Sequence, residues 1–178
     1  SQIKNQNPSK AYALFYSFFL IPFMLAIFGG MFFFMFQFLT YEKNTPIDLL
    51  NNIQSGSATK RWQSAFELSN MLDESKINNV QLFVNKMKSL YEKSKNDDPR
   101  VRTYLALAMG KTNNIDFGED LILALQDKNL ENRLAAIKSL GLLKYDKSCP
   151  DLERIIKKSN NNVEKLSVII ALGMIGNR

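Results

Sequence analysis

The longest uncharged stretch of the sequence lies near its start and constrains the fold more than any other feature. Residues 11–40 read AYALFYSFFLIPFMLAIFGGMFFFMFQFLT, thirty residues without an acidic or basic side chain, and ten of them are Phe. About 20 apolar residues in a helix suffice to cross the hydrocarbon core of a bilayer. Thirty are too few for two crossings. The run therefore predicts one transmembrane helix that tilts or extends past the lipid head groups.

Two other assignments fit this run less well. A cleaved signal peptide has an apolar core of about 7–15 residues followed by a small-residue cleavage site, whereas this run is longer and ends in Phe, Gln and Leu. A buried helix of a globular protein would be shorter and would carry polar positions. Within the predicted span, Pro22 and the pair Gly29 and Gly30 are the points where the helix could kink.

The composition of the span suggests packing against other transmembrane helices. Small residues allow helices to approach closely inside a membrane, and bulky side chains fill the gaps between them. The candidate packing residues are Ala26, Gly29, Gly30 and Phe33. A plain lipid-facing anchor is the alternative, and both interpretations remain open.

Charge gives a weak indication of orientation. Lys4 and Lys10 precede the span, and Lys43, Lys60 and Arg61 follow it, so the positive-inside rule hardly discriminates between the two sides. The single cysteine, Cys149, cannot form an intramolecular disulfide, which favours a reducing compartment. We expect residues 57–178 to lie in the cytoplasm.

The sequence argues against an enzyme. It contains no histidine, which removes the commonest general base and metal ligand. Gly110, Lys111 and Thr112 resemble the end of a phosphate-binding loop, but the earlier glycine and the preceding strand are missing, so a helix end is favoured. Cys149 precedes a helix start without a base nearby. We therefore expect no catalytic residue, no cofactor, no metal and no small-molecule substrate.

Residues 41–56 form a connector. Thr45 followed by Pro46 predicts a helix start, and Gly56 predicts its end. Ile47, Leu50 and Ile53 recur at helical spacing. The pattern predicts a short amphipathic helix close to the membrane.

A repeat begins at residue 57. It is anchored by four basic residues spaced 41, 31 and 32 apart: Arg61, Arg102, Arg133 and Lys165. Four positions before each anchor stands a good helix N-cap: Ser57, Asp98, Asn129 and Asn161. Positions +3, +4 and +7 form a face that we expect to be buried. Position +8 is small, which allows close helix packing: Ser69, Gly110, Gly141 and Gly173.

Each repeat except the last has room for a second helix. The predicted second helices are residues 78–93, 118–126 and 150–158. A period of about 30–45 residues with paired helices is typical of an α-solenoid. The predicted fold class is all-α: a transmembrane helix followed by a short solenoid.

The repeat segments resemble a known family. DDPRVRTYLALAMGK, DKNLENRLAAIKSLGLL and NNNVEKLSVIIALGMIG are similar to HEAT repeats, most of all to the short HEAT-like type of the phycobilisome lyases, and the resemblance spans residues 57–178. It implies that each arginine acts structurally together with the acidic residue before it. Arg102 with Asp97 or Asp98 fits this pattern, and Arg133 has Asp127 nearby.

The last repeat departs from the family pattern. Lys165 replaces the arginine, so we expect this repeat to be looser. No second helix follows it before Arg178, which leads us to expect that a partner covers this end.

Five residues are candidates for protein binding. For Arg61, Arg102 and Arg133, joining neighbouring repeats is favoured over ligand binding. Trp62 and Phe66 are four residues apart and share a helix face. Burial in the core is favoured for both, and a partner anchor is the alternative.

The predicted function is a non-enzymatic scaffold or adaptor subunit of a membrane complex, such as an envelope transporter, secretion or respiratory assembly. Its partners would be other membrane protein subunits and the lipid bilayer. The alternative is a membrane-tethered nucleic-acid-binding protein, supported by a lysine excess but weakened by Glu92 and sparse aromatic residues: Lys86, Lys88, Lys93 and Lys95. An enzyme or chromophore lyase is a third option, by fold analogy alone.

Overall fold

The computed structural model of the chain describes residues 10–39, 44–72, 77 and 79–176. All regular secondary structure in these residues is helical. The chain divides into two compact units, residues 1–43 and residues 44–178. Each unit is described by itself.

The first unit is one long helix with a local irregularity. It consists of α1 (Lys10–Phe15), a π-helical stretch (Tyr16–Leu20) and α2 (Ile21–Leu39). Pro22 has no N–H to donate to the carbonyl one turn earlier, and this accounts for the loss of regular α-helical hydrogen bonding just before it. The helix continues through Gly29 and Gly30 without interruption.

This helix is apolar and fully exposed. Residues Tyr12–Leu39 form a 28-residue helical segment, none of which is buried, and an 18-residue window within it has a mean hydropathy of 2.3. Among the described residues, it is the one helix long and apolar enough to cross a membrane.

The second unit contains eight α-helices in the described residues, and short 3₁₀-helices precede α6, α7 and α9. Its helices are α3 (Pro46–Ser55), α4 (Ala58–Met71), α5 (Val80–Lys93), α6 (Pro99–Gly110), α7 (Gly118–Ala124), α8 (Leu130–Leu142), α9 (Cys149–Lys158) and α10 (Asn162–Gly176). We call α4, α6, α8 and α10 the first helices of the repeats, and α5, α7 and α9 the second helices. Each second helix falls within or next to its predicted range.

Side-chain caps explain where the first helices begin. The side chains of Ser57, Asp98 and Asn129 each accept a hydrogen bond from a backbone N–H of the following turn. Asn161 Oδ1 accepts from the N–H groups of the second and third residues after it. The four predicted caps are confirmed. Each satisfies backbone donors that a helix start leaves without a partner.

The first helices stack in chain order. α4 packs against α6, α6 against α8, and α8 against α10. α3 packs on the other side of α4, with Thr45 and Asp48 forming a capping box at its start. Position +7 supplies core residues that are completely buried in three repeats: Leu68, Met109 and Leu140. The predicted buried face therefore packs the first helices against one another.

Candidate protein-binding surface

Small residues bring consecutive first helices into close contact. A methyl group at Gly110 would lie 2.6 Å from Cα of Ser139 in α8. Ser139 also donates a hydrogen bond from Oγ to the Ala106 carbonyl at 2.8 Å. A methyl group at Gly141 would lie 2.9 Å from Cα of Ala171 in α10. We call each such contact between adjacent first helices a seam, and only glycine fits at these two positions.

An ion pair crosses each seam. In all three cases the anchor arginine of one repeat donates to a carboxylate that belongs to the next repeat. The pairs are Arg61 with Asp97, Arg102 with Asp127, and Arg133 with Glu164, at 2.7, 2.7 and 2.6 Å.

This pairing corrects the expectation that Arg102 acts with Asp97 or Asp98. Asp97 is held by Arg61, and Asp98 caps α6 and pairs with Arg100. The physical reason is that each anchor arginine reaches forward across the seam and not back along its own repeat. The acidic residue before an anchor therefore serves the arginine of the preceding repeat.

Arg102 is the most enclosed of the three arginines. It donates to the Tyr91 carbonyl at 2.9 Å, and its guanidinium carbon lies 4.2 Å from the centroid of the Tyr91 ring. The Tyr91 hydroxyl donates to Asn132 Oδ1 at 3.3 Å. Burial raises the pKa of Tyr91 to about 12, although the charge of Arg102 opposes this. Arg102 thus connects α5, α6 and the start of α8.

The three carboxylates of the seams are strongly held in their ionised forms. The hydrogen bond from Arg61 is the main reason why the pKa of Asp97 is lowered. Burial raises the pKa of Asp127, but hydrogen bonds from the Asn129 N–H and from Arg102 outweigh it, so the net pKa is lowered. For Glu164, hydrogen bonds that include one from Arg133 likewise outweigh burial and lower the pKa. The pairs are therefore charged at neutral pH.

Aromatic side chains form a partly exposed patch across α4 and α6. Trp62 is half-buried, and the guanidinium carbon of Arg100 lies 4.3 Å from its ring centroid. Phe66 is 46 % exposed and meets Tyr104 edge-on, with 5.1 Å between the ring centroids. We call these four residues the aromatic patch. The core interpretation thus holds in part for Trp62 and is wrong for Phe66.

Sequence reasoning missed two members of this patch. Tyr104 lies two positions after its anchor, whereas Trp62 and Phe66 lie one and five positions after theirs, so aligning the repeats does not single it out. Arg100 carried no signal of its own, because its stacking on Trp62 depends on how far α6 is shifted relative to α4.

The candidate packing residues of the first unit lie on an open helix surface. A methyl group placed at Gly29 or Gly30 would have no heavy atom within 4 Å beyond its own helix, and Phe33 is exposed. Ala26 is exposed as well. No described residue of this unit covers them, so they are available for contact with lipid or with another helix.

Features that resembled catalytic motifs have structural explanations. Gly110 ends α6, and Thr112 Oγ1 donates to the Met109 carbonyl at 2.7 Å, so this segment is a helix end as predicted. In the part of the chain that the structure describes, no three His, Cys, Asp or Glu residues are grouped closely enough to hold a metal ion.

Comparison with known families identifies the repeats. The family model for HEAT repeats matches residues 87–173, from within α5 to near the end of α10. Residues 87–173 are thus similar to HEAT repeats, a type of repeat that serves protein interactions, and the described residues form an all-α fold. The match does not test the similarity to the phycobilisome-lyase type, which stays a prediction. A search of curated proteins finds no match to the chain.

Proposed function

We propose that this chain is a membrane-anchored scaffold whose repeat unit binds other protein subunits of a membrane complex. The observation that carries the proposal is the 28-residue apolar helix, fully exposed, on the same chain as a HEAT-repeat unit. In lipid, this helix would satisfy its backbone hydrogen bonds internally and bury its side chains. The repeats would then present their surfaces beside the membrane.

The aromatic patch is the surface that we assign to partner binding. Tryptophan, tyrosine and arginine are the residues that most often dominate binding energy at protein interfaces. Phe66 exposes nearly half of its surface, which a partner would bury. Three candidate arginines form ion pairs within the repeat unit: Arg61, Arg102 and Arg133. We propose that they join neighbouring repeats.

The nucleic-acid alternative receives less support from the lysines. Lys86 donates to the side chain of Asn51, and Lys88 pairs with Asp120 at 3.3 Å. Two of the four lysines that suggested a basic surface are therefore engaged with neighbouring helices. Phosphate binding would require them to exchange these partners.

Purification of the full chain in mild detergent tests the scaffold. Alkaline carbonate should leave the protein in the membrane fraction, and stoichiometric membrane proteins should co-purify. The double variant Trp62→Ala, Phe66→Ala should lose these partners. Leu123→Ala is the matched control, because Leu123 is 71 % exposed and lies on α7, which contributes no residue to the patch. Release by carbonate, or a protein that runs alone and binds oligonucleotides with steep salt dependence, would refute the proposal.

Orientation is tested with the single cysteine. We propose that residues 57–178 face the cytoplasm. A membrane-impermeant thiol reagent applied to intact cells should then leave Cys149 unlabelled, whereas labelling should follow permeabilisation and denaturation. The denatured sample is needed because Cys149 is half-buried at the start of α9. Labelling of intact cells would reverse the orientation.

A further inference from the structure

Two open clefts adjoin one another on the repeat unit, beside the ion pairs of the last two seams. The first cleft, of about 490 Å³, is lined by the chain at the ends of α5 and α7 and by the pair of Arg102 with Asp127. The second, of about 340 Å³, is lined by the end of α7, by α9 and by the pair of Arg133 with Glu164. Gln126 lines both clefts, so we treat them as one surface and call it the twin cleft.

Every carboxylate that lines the twin cleft is neutralised within the unit. Each of the four pairs with an arginine: Asp97 with Arg61, Asp127 with Arg102, Asp151 with Arg154, and Glu164 with Arg133.

The lysines that line the twin cleft are not neutralised in this way. They are Lys95 and Lys128 in the first cleft and Lys158 in the second. All three are exposed, and no described carboxylate forms an ion pair with any of them. The twin cleft therefore carries an excess of positive charge, which favours an anionic ligand.

The other side chains of the twin cleft favour a peptide among anionic ligands. Ile122, Leu125 and Ile155 give the second cleft an aliphatic wall, against which apolar side chains can be buried. Gln126 is exposed between the two clefts, and its amide can both donate to and accept from the backbone of an extended chain.

A nucleic acid would fit the twin cleft less well. Among the described residues that line it, none is aromatic, so bases would find no stacking platform. Its four carboxylates lie among the lysines and would repel a continuous phosphate backbone, whereas a peptide can place its acidic residues only where lysines stand.

We propose that the twin cleft binds an extended segment of a partner protein in which acidic residues are interspersed with aliphatic ones. The acidic side chains would meet Lys95, Lys128 and Lys158, and the aliphatic side chains would pack against the wall of the second cleft. This surface is additional to the aromatic patch, and the inference requires neither that patch nor the membrane anchor. Because the lysines are exposed, the interaction should weaken with salt.

A fluorescent peptide provides the test. The probe repeats Glu-Leu-Ser over about twelve residues, which span up to about 40 Å when extended. Its control has Gln in place of every Glu. Anisotropy with the full chain in a non-ionic detergent should show that the probe binds, that the control peptide binds much more weakly, and that salt weakens the binding of the probe.

Two triple variants of equal net charge locate the site. Replacing the three lysines of the twin cleft by Gln should weaken binding of the probe by at least roughly tenfold. The control variant replaces three exposed lysines that line neither cleft: Lys60→Gln, Lys111→Gln and Lys138→Gln. It should bind like wild type. None of the six lysines forms an ion pair with a described residue, so circular dichroism should show both variants folded.

The outcomes separate this inference from the scaffold proposal. Equal weakening by the two triple variants, no binding of the probe to wild type, or equal binding of the probe and its Gln control would each overturn the twin cleft as a peptide site. An oligothymidylate that displaces the probe at a lower concentration than unlabelled probe would identify the ligand as a nucleic acid and overturn the choice of protein. The variant Trp62→Ala, Phe66→Ala should still bind the probe, because neither residue lines the twin cleft.

Discussion

Gly141 and Gly173 occupy the same position of adjacent repeats, yet their surroundings are opposite. Gly141 lies against Ala171, where any larger residue would collide with backbone, whereas Gly173 faces open space. Glycine inside a helix costs about 1 kcal/mol relative to alanine. At Gly141 the close approach of two helices offsets that cost. Within α10 no described residue offsets it, so the same position of the repeat carries a helix contact at Gly141 and none at Gly173.

The largest difference in the free energy of unfolding is expected between variants of two anchor residues, Arg102 and Lys165. Arg102→Ala would remove the enclosed ion pair, leave Asp127 without its cation and expose the Tyr91 carbonyl. We expect the free energy of unfolding of the second unit to fall by about 3–5 kcal/mol. Lys165→Ala, at the anchor position of α10, where no described carboxylate forms an ion pair with the lysine, should change it by no more than about 0.5 kcal/mol. Denaturant unfolding of the full chain in detergent, followed by the fluorescence of the single tryptophan Trp62, measures both variants.

Equal losses for the two anchor variants would contradict the comparison, because Lys165 would then be paired as tightly as Arg102. Arg100→Ala is a further control. Its pair with Asp98 is half-exposed, so its loss should change the stability little.

Gly141→Leu should have the next largest effect. The added side chain would push α8 away from α10, and overpacking typically costs about 1–3 kcal/mol. The thermal midpoint, followed by far-ultraviolet circular dichroism, should decrease relative to wild type. An unchanged midpoint would show that the seam at Gly141 relaxes freely, and the predicted register of the third repeat would then be wrong.

Acid should weaken the three seams. The pKa values of Asp97, Asp127 and Glu164 are lowered in the folded protein, so their ionised forms stabilise it above the ordinary carboxylate range of about 4. That stabilisation is lost as the pH falls through the lowered pKa values. Because the chain has no histidine, we expect the thermal midpoint to stay nearly constant from about pH 8 to pH 5 and to decrease below about pH 4.

The triple variant Asp97→Asn, Asp127→Asn, Glu164→Gln isolates this effect. Its midpoint should already be lower at neutral pH and should fall less steeply in acid than that of wild type. An identical acid dependence of the two proteins would assign the effect to other carboxylates.

Much of the fold could be predicted because it is determined locally. Caps, the apolar position +7 and the small position +8 recur at fixed distances from each anchor, and helical geometry alone turns that spacing into a buried face. The three second helices followed from the same periodicity.

The arrangement of the surface could not be predicted in the same way. Whether Arg102 meets Asp98 or Asp127, and whether Phe66 is covered, depends on the shift between neighbouring helices. That shift results from the packing of whole helix faces, so no single sequence position predicts it. The pairing of Arg102 with Asp127 was therefore missed, although both residues had been named from the sequence.

The smallest effect, and the most diagnostic, is expected for Gly173→Leu. Leucine has a higher helix propensity than glycine, and a Cβ atom at this position would meet no atom within 4 Å. The free energy of unfolding should therefore stay the same or increase by up to about 1 kcal/mol, opposite in sign to Gly141→Leu. Thermal melts of the two variants side by side give the comparison. If Gly173→Leu destabilises the purified protein as much as Gly141→Leu does, then α10 is already covered in solution. That face of α10 would then be a closed contact, and sedimentation of the same samples would show whether a second copy closes it.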